Sequence, residues 1–223
     1  AAGRPGPYFN LRTTLLCLEN THNFAGGAVI PVAEHRALVG AAKAAGLRVH
    51  VDGARLWHAA TALGCGLPEL TAGADTVQVC LSKGLGAPMG SLLCGSRETV
   101  AEARRCRKML GGGVRQGGVV GAAGLVALDY LPRLAEDHAK ARMLAEGLRK
   151  LGFTLDLPET NILLVEVPDA PSALALLAEV GVHAVPVGPR LRFIPHRDLA
   201  DADIHEALSR LAPLAERLLK GAA

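Results

Sequence analysis

The sequence has few aromatic residues, little net charge and no long apolar run. Only 3% of its 223 residues are aromatic although 50% are hydrophobic, so Leu, Val and Ala must form most of the core. This profile favours helices packed on a sheet over a β-sandwich rich in aromatic side chains. A formal net charge of +3 argues against nucleic acid as a partner. No stretch has the length and apolar content of a membrane span, so we expect no membrane partner.

Cysteine usage argues against a disulfide framework. The cysteines are odd in number, are scattered and include no CxxC pair: Cys17, Cys65, Cys80, Cys94 and Cys106. Three of them lie in strand-like apolar runs, where we expect buried thiols. The 8 histidines form no ligand-spaced group, so we predict no metal site. Unpaired cysteines favour a reducing compartment, which we predict to be the cytoplasm, with the mitochondrial matrix as the alternative.

The first part of the chain alternates strand-like and helix-like segments. Apolar runs predict strands at 14–19, 47–52, 75–82 and 91–94, and amphipathic patterns predict helices at 32–45 and 97–110. Gly46 follows the first of these helices, where a helix commonly ends. Strands separated by helices predict an α/β fold with a mostly parallel sheet, which we assign to a large domain over residues 1–131.

After residue 131 the pattern changes. Helical patterns cover 133–151, 171–180 and 201–220, and short strand-like runs cover 161–167, 183–187 and 191–195. We therefore predict a smaller C-terminal α+β domain over residues 132–223.

Two charged residues follow predicted strands. Asp52 ends one strand in an Asp-Gly pair, and Lys83 follows another strand before the glycine-rich turn Gly84–Gly90. Each has an ordinary interpretation, since Asp-Gly commonly closes a turn and a surface lysine can begin one. Parallel strands bring their carboxyl ends to one edge, where functional groups gather. A partly desolvated lysine there is a nucleophile that forms Schiff bases with aldehydes, and a carboxylate against a pyridine nitrogen completes the protein's contribution to pyridoxal-phosphate chemistry.

Four segments in order extend this pattern: Leu-Glu-Asn-Thr-His-Asn at 18–23, His-Val-Asp-Gly-Ala-Arg at 50–55, Cys-Leu-Ser-Lys-Gly-Leu-Gly-Ala-Pro at 80–88 and Gly-Gly-Gly-Val-Arg-Gln at 111–116. Together they resemble the low-specificity L-threonine aldolases, which are fold-type-I pyridoxal-phosphate enzymes. The resemblance runs from about residue 15 to about residue 196. It implies cleavage of L-threonine or L-allo-threonine to glycine and acetaldehyde, an amino-acid substrate, and assembly as a homodimer or homotetramer.

The resemblance also implies a role for particular residues. Lys83 matches the lysine that holds the cofactor, and Asp52 matches the aspartate at its pyridine nitrogen. Arg55 matches an arginine beside the cofactor and the substrate, and Arg192 matches one that binds the substrate carboxylate. Weaker matches place Ser82 and Arg115 at the cofactor phosphate. His22 either assists at the substrate hydroxyl, as a catalytic residue, or holds its own loop in place.

The sequence also departs from the family's pattern. The family's chain begins well before this one, in a part with a Ser/Thr-Gly-Thr phosphate turn and a histidine that stacks on the cofactor ring, so we expect the large domain to be incomplete at its N-terminus. Tyr8-Phe9-Asn10 stands where a second histidine is often found, and Pro195 stands where threonine is usual. Two alternatives follow: a truncated, catalytically inactive remnant of the aldolase, or a related pyridoxal-phosphate-dependent lyase or transaminase.

Overall fold

The structure is a computed structural model, and it describes residues 11–221. These residues fall into two compact units. One contains residues 11–21 and 30–132, and the other contains residues 22–29 and 133–221. The expectations for residues 1–10, including Tyr8-Phe9-Asn10, lie outside the described residues. The domain boundary at 131/132 stays a prediction.

The first unit is built on a four-stranded sheet. Its strands lie in the order β1-β2-β3-β4, and their bounds are Leu15–Glu19, Arg48–Gly53, Thr76–Cys80 and Ser91–Gly95. β1, β2 and β3 are parallel, and β4 is antiparallel to β3. The sheet is therefore mostly parallel, as predicted, and the fold class is α/β.

Helices lie between β1 and β2, between β2 and β3, and after β4. They are α1 (Val32–Ala44), α2 (Leu56–Leu63), α3 (Leu67–Thr71), α4 (Arg97–Met109) and α5 (Gly118–Leu128). The core packs α1 against one face of the sheet, with Val39 and Ala42 buried beside Leu18 and Val49. Val49 and Val51 are buried while their neighbours His50 and Asp52 are not, so alternation along β2 separates a core face from a polar face.

The second unit combines a three-stranded antiparallel sheet with four helices among its described residues. The strands are β5 (Leu163–Glu166), β6 (Val185–Val187) and β7 (Arg190–Phe193), in the order β5-β7-β6. The helices are α6 (Leu134–Lys150), α7 (Ala170–Glu179), α8 (Asp201–Leu211) and α9 (Ala215–Lys220). Its core contains Leu144 and Leu148 from α6, Leu177 from α7, and Leu191 and Phe193 from β7.

Several sequence predictions of local structure were wrong. The single helix at 201–220 is interrupted at Ala212–Leu214, because Pro213 lacks the N–H that a continuous helix needs. Cys17 and Cys94 are exposed although they lie in strands, and only Cys80 of the three is buried. All five residues of β4 are exposed, which explains the thiol at position 94.

α5 is the least expected helix of the first unit. It has no charged residue, yet the exposed fractions of Val119, Leu125 and Val126 are 77%, 70% and 70%. An all-apolar helix is normally covered by other protein. Within residues 11–221, no single helix has both the length and the apolar content to cross a membrane; only α5 and residues 131–150 taken together meet that criterion.

Candidate active site

The carboxyl end of β2 carries the first proposed cofactor residue. Asp52 is half-buried and pairs in register with Gln78 of β3 and Glu19 of β1. Its Oδ1 accepts a hydrogen bond from Ala54 N at 3.0 Å, which fixes the carboxylate over the turn that leads into α2. A Cβ at Gly53 would lie 2.6 Å from the Gln78 carbonyl oxygen, so this position needs glycine for β2 to stay close to β3.

The adjacent strand carries the second one. Lys83 lies three residues after the end of β3, in a turn closed by a 2.8 Å hydrogen bond from Gly86 N to Lys83 O. Gly86 has a φ of 73°, a conformation that favours glycine. Because β2 and β3 are adjacent and parallel, Asp52 and Lys83 lie at the same edge of the sheet. Lys83 is exposed, so the expected partial desolvation of its amine is not found in this chain.

The remaining candidates of the first unit occupy two places. Arg55 is half-buried at the N-terminus of α2, three residues after Asp52. Ser82 is exposed and its Oγ lies 3.2 Å from Cys80 Sγ. Arg115 is exposed in the segment between α4 and α5, and within residues 11–221 no hydrogen bond or ion pair joins it to the other candidates.

Arg192 lies on β7 in the second unit. It is half-buried, and its Nη1 donates a 2.6 Å hydrogen bond to Oδ1 of Asn23. The Nε atom of Arg192 is buried and has no hydrogen-bond acceptor among the described residues. The guanidinium therefore keeps donor capacity for an oxygen atom that the described residues do not supply.

His22 also belongs to the second unit, in the segment 22–29. It is exposed and begins the 3₁₀ turn Asn23–Ala25, where its Nδ1 accepts a 3.2 Å hydrogen bond from Ala25 N. This contact fits the alternative in which His22 holds its own loop in place. The catalytic role of His22 stays a prediction.

Sequence reasoning missed several polar residues. Asn23 lies in the Leu-Glu-Asn-Thr-His-Asn segment at 18–23, but its partner Arg192 is 169 positions away, so no local pattern connects them. Trp57 Nε1 donates a 3.0 Å hydrogen bond to Cys80 O and thereby ties α2 to the end of β3. The tryptophan five residues after Asp52 was the available signal.

A buried ion pair was missed as well. Asp137 is fully buried on α6, both of its carboxylate oxygens lack a hydrogen bond, and Lys140 Nζ lies 3.8 Å from Oδ1. Burial raises the pKa of Asp137 to about 6, although the charge of Lys140 and then that of His196 act in the opposite direction. The signal was the position of Asp137 three residues after Leu134, on the stripe that the helix buries.

The two strand ends can perform recognisable chemistry. A primary amine and a carboxyl group at one sheet edge suit an aromatic aldehyde cofactor with a basic ring nitrogen. Among the described residues, no group of three or more His, Cys, Asp or Glu side chains could hold a metal ion.

The chain is similar to known proteins over most of its length. A model of the beta-eliminating lyase family matches residues 2–170. The chain is 43% identical over 215 residues to low-specificity L-threonine aldolase 1 of Arabidopsis thaliana, covering 92% of this chain and 60% of that protein. It is 40% identical over 205 residues to the low specificity L-threonine aldolase of Escherichia coli K12, covering 91% and 61%. The chain thus spans about three fifths of the length of these relatives. The solved threonine aldolase of Leishmania major has the same fold, with a TM-score of 0.77 at 20% identity over 94% of this chain and 64% of that one.

Proposed function

Because this chain belongs to the beta-eliminating lyase family, we propose that it takes part in pyridoxal-phosphate-dependent cleavage of L-threonine or L-allo-threonine to glycine and acetaldehyde. The observation that carries the proposal is the placement of Asp52 and Lys83 at the carboxyl ends of adjacent parallel strands. The similarity to low-specificity L-threonine aldolases supports this substrate class over that of other lyases.

Membership of the family implies pyridoxal phosphate as the cofactor, and the residues present fit it. Lys83 offers a primary amine to the cofactor's aldehyde. Asp52 is half-buried and held by Ala54 N, so an anionic oxygen is available for the ring nitrogen. The close approach of β2 and β3 at Gly53 keeps the two strand ends together. When bound, pyridoxal phosphate supplies an electron sink that makes cleavage of the Cα–Cβ bond possible.

In the proposed reaction each residue of the chain has a separate task. Asp52 would accept a hydrogen bond from the protonated pyridine nitrogen and so stabilise the proton there. The Lys83 amine would hold the cofactor through its aldehyde carbon. We propose Ser82 and Arg115 as donors to the cofactor phosphate, since hydroxyl and guanidinium groups both donate hydrogen bonds to phosphate oxygens.

Substrate binding falls to arginines. We propose that Arg192 binds the substrate carboxylate, because its buried Nε–H lacks an acceptor among the described residues. Arg55 is the second candidate, at the turn after Asp52. A base must remove the substrate's hydroxyl proton, which contributes about 10²- to 10⁴-fold to the rate in comparable cases. We propose His22 for this task, with a bound water as the alternative.

The finer properties of the assembled protein are proposals as well. We propose a homodimer or homotetramer, because α5 exposes an all-apolar surface that other protein would cover. A cytoplasmic or mitochondrial-matrix location is supported by the absence of a disulfide among the five cysteines, each of which lies in the part of the chain that the structure describes. We propose the large and small domains at 1–131 and 132–223.

The test uses the whole 223-residue chain with added pyridoxal phosphate. We expect a visible absorbance band that is lost in Lys83→Ala, and formation of glycine and acetaldehyde from threonine. Lys150→Ala is the matched control, because Lys150 is an exposed lysine far along the chain at the end of α6. Failure of the band to form refutes cofactor binding by this chain. A Lys83-dependent band without glycine supports the inactive remnant, and a keto acid or ammonia as product supports a transaminase or an eliminating lyase.

A further inference from the structure

The segment 22–29 is fastened to the second unit by several side chains. Arg190 Nη2 donates to Phe24 O at 3.3 Å, and Thr160 Oγ1 donates to Gly27 O at 3.0 Å. Glu159 Oε2 accepts from Val29 N at 3.1 Å. These contacts hold the backbone that follows Asn23 without using its side chain. The segment that carries Asn23 is therefore held by contacts other than the hydrogen bond between Asn23 and Arg192.

Arg192 has unusual neighbours for a half-buried cation. In register across the sheet it faces Leu164 of β5 and Val185 of β6, both apolar. Arg190, two positions earlier on the same strand, faces Glu166 of β5. The sheet thus places a carboxylate opposite Arg190 and none opposite Arg192. A half-buried guanidinium without a paired carboxylate retains its full attraction for an anion.

Asn23 contacts this guanidinium in a way that keeps its charge. The amide oxygen accepts a 2.6 Å hydrogen bond from Nη1, but an amide carries no charge to neutralise the cation. This hydrogen bond uses Nη1 only. The buried Nε–H, on the opposite edge of the guanidinium, has no hydrogen-bond acceptor among the described residues. Nε–H and the adjacent Nη2–H form the fork that meets a carboxylate with two parallel hydrogen bonds.

We propose that Asn23 is a positioning residue, which holds Arg192 so that the Nε edge of its guanidinium receives the carboxylate of the amino-acid substrate. The inference rests on the proposed function, because it takes an amino acid as the ligand. Fixing the guanidinium in advance removes part of the entropy lost on binding, since a long cationic side chain has many rotamers. A neutral partner achieves this without competing with the ligand's charge.

The experiment compares Asn23→Ala, Asn23→Asp and the control Arg190→Gln in the whole chain loaded with pyridoxal phosphate. Arginine Nε–H signals are followed by NMR while threonine is added, and the Arg192 signal is assigned by its loss in Arg192→Lys. 1-Amino-2-propanol, which keeps the amine and the hydroxyl but lacks the carboxylate, serves as the control ligand.

We expect Asn23→Ala to speed hydrogen exchange at Arg192 Nε and to weaken threonine binding by about 3- to 10-fold. Asn23→Asp should keep the fold and the slow exchange but weaken threonine binding by about tenfold or more, because its carboxylate neutralises Arg192. Neither variant should alter binding of 1-amino-2-propanol. Arg190→Gln removes another contact of the same segment and should leave the affinity for threonine within about twofold. If the loaded chain turns over threonine, Asn23→Ala should raise KM more than it lowers kcat.

Two results would overturn the inference. If Asn23→Asp bound threonine as tightly as the wild type does, the attraction of Arg192 for a carboxylate would not depend on the charge of residue 23. Equal losses in Asn23→Ala and Arg190→Gln would show that Asn23 acts only through the stability of the segment. A failure of the proposed function would give a different result from a failure of this inference. If threonine never shifts the Arg192 signal, Arg192 does not bind the substrate carboxylate. The hydrogen-exchange rate at Arg192 Nε still decides whether Asn23 fixes the guanidinium.

Discussion

The buried carboxylate of Asp137 should make the stability of the folded chain depend on pH in an unusual direction. Burial raises the pKa of Asp137 from 3.8 to about 6. The folded state therefore binds this proton more tightly than the unfolded state does. Stability from this group is greatest below pH 3.8, falls as the pH rises from 3.8 to about 6, and is constant above that range.

The magnitude follows from the shift. A difference of about 2 pH units corresponds to about 3 kcal/mol at 25 °C, which is the free energy of unfolding lost between the two plateaus. The attraction of Lys140 at 3.8 Å and of the charges of His196 and Arg197 is already contained in the pKa of about 6, as is the repulsion from Glu136. The ionised pair is thus a net cost to the folded state because burial outweighs the attraction.

Asp137→Asn tests this reasoning. Asparagine has nearly the shape of the protonated carboxyl group, so the variant and the wild type should unfold at similar urea concentrations near pH 4. At pH 7.5 the variant should be more stable by up to about 3 kcal/mol. Urea unfolding followed by circular dichroism at a series of pH values measures the difference.

The matched control is Glu136→Gln. Glu136 is the preceding residue, is exposed, and accepts hydrogen bonds from Arg133, which lower its pKa. Its contribution to stability is therefore lost as the pH falls, which is the opposite sign to Asp137. A difference between Asp137→Asn and wild type that does not change with pH, or a wild type that is the more stable protein at pH 7.5, would refute the burial argument.

Three further predictions concern other parts of the chain. Gly27→Ala should lower the midpoint of thermal unfolding, because Gly27 has a φ of 76° and a Cβ there would collide with neighbouring side chains; Gly40→Ala in α1, where a Cβ meets nothing within 4 Å, should raise it slightly. Hydrogen bonds from Lys43 and from a backbone N–H lower the pKa of Asp75, so Asp75→Asn should destabilise the chain at pH 7, and the difference from the wild type should shrink as the pH falls below the ordinary value of 3.8, as measured by urea unfolding. Leu125→Glu on α5 should reduce the mass measured by sedimentation if this helix contacts another copy, and an unchanged oligomer would exclude α5 from the interface.

The sheet of the first unit could be predicted from the sequence because its strands are short apolar runs ended by punctuating residues. β2 ends at an Asp-Gly pair and β3 is followed by a glycine-rich turn, so Asp52 and Lys83 could be placed at strand ends. α5 could not be predicted, because Gly118, Gly121 and Gly124 lower helix propensity and the helix has no polar face to set a period.

The site could be predicted only where its residues are local to a strand end. Asp52 and Lys83 meet that condition, since each follows an apolar run. The contact between Asn23 and Arg192 does not, because it depends on a segment that leaves β1 and packs on a strand far along the chain. Exposure was also beyond the sequence, as Lys83 shows: its surroundings depend on what packs over the sheet edge, which a local pattern does not encode.

Asp137 and Arg192 of the second unit have different surroundings, and the difference has a physical meaning. Asp137 has a cationic partner of its own, Lys140, although neither gains a good hydrogen bond from the pair. Arg192 has an amide and two apolar neighbours, whereas Glu166 stands in register opposite Arg190. A charge that serves only the fold is best matched within the fold, because an unmatched buried charge is costly. A charge with neutral partners keeps its attraction for an anion from solution. We therefore expect an amino-acid carboxylate to bind Arg192 rather than Arg190.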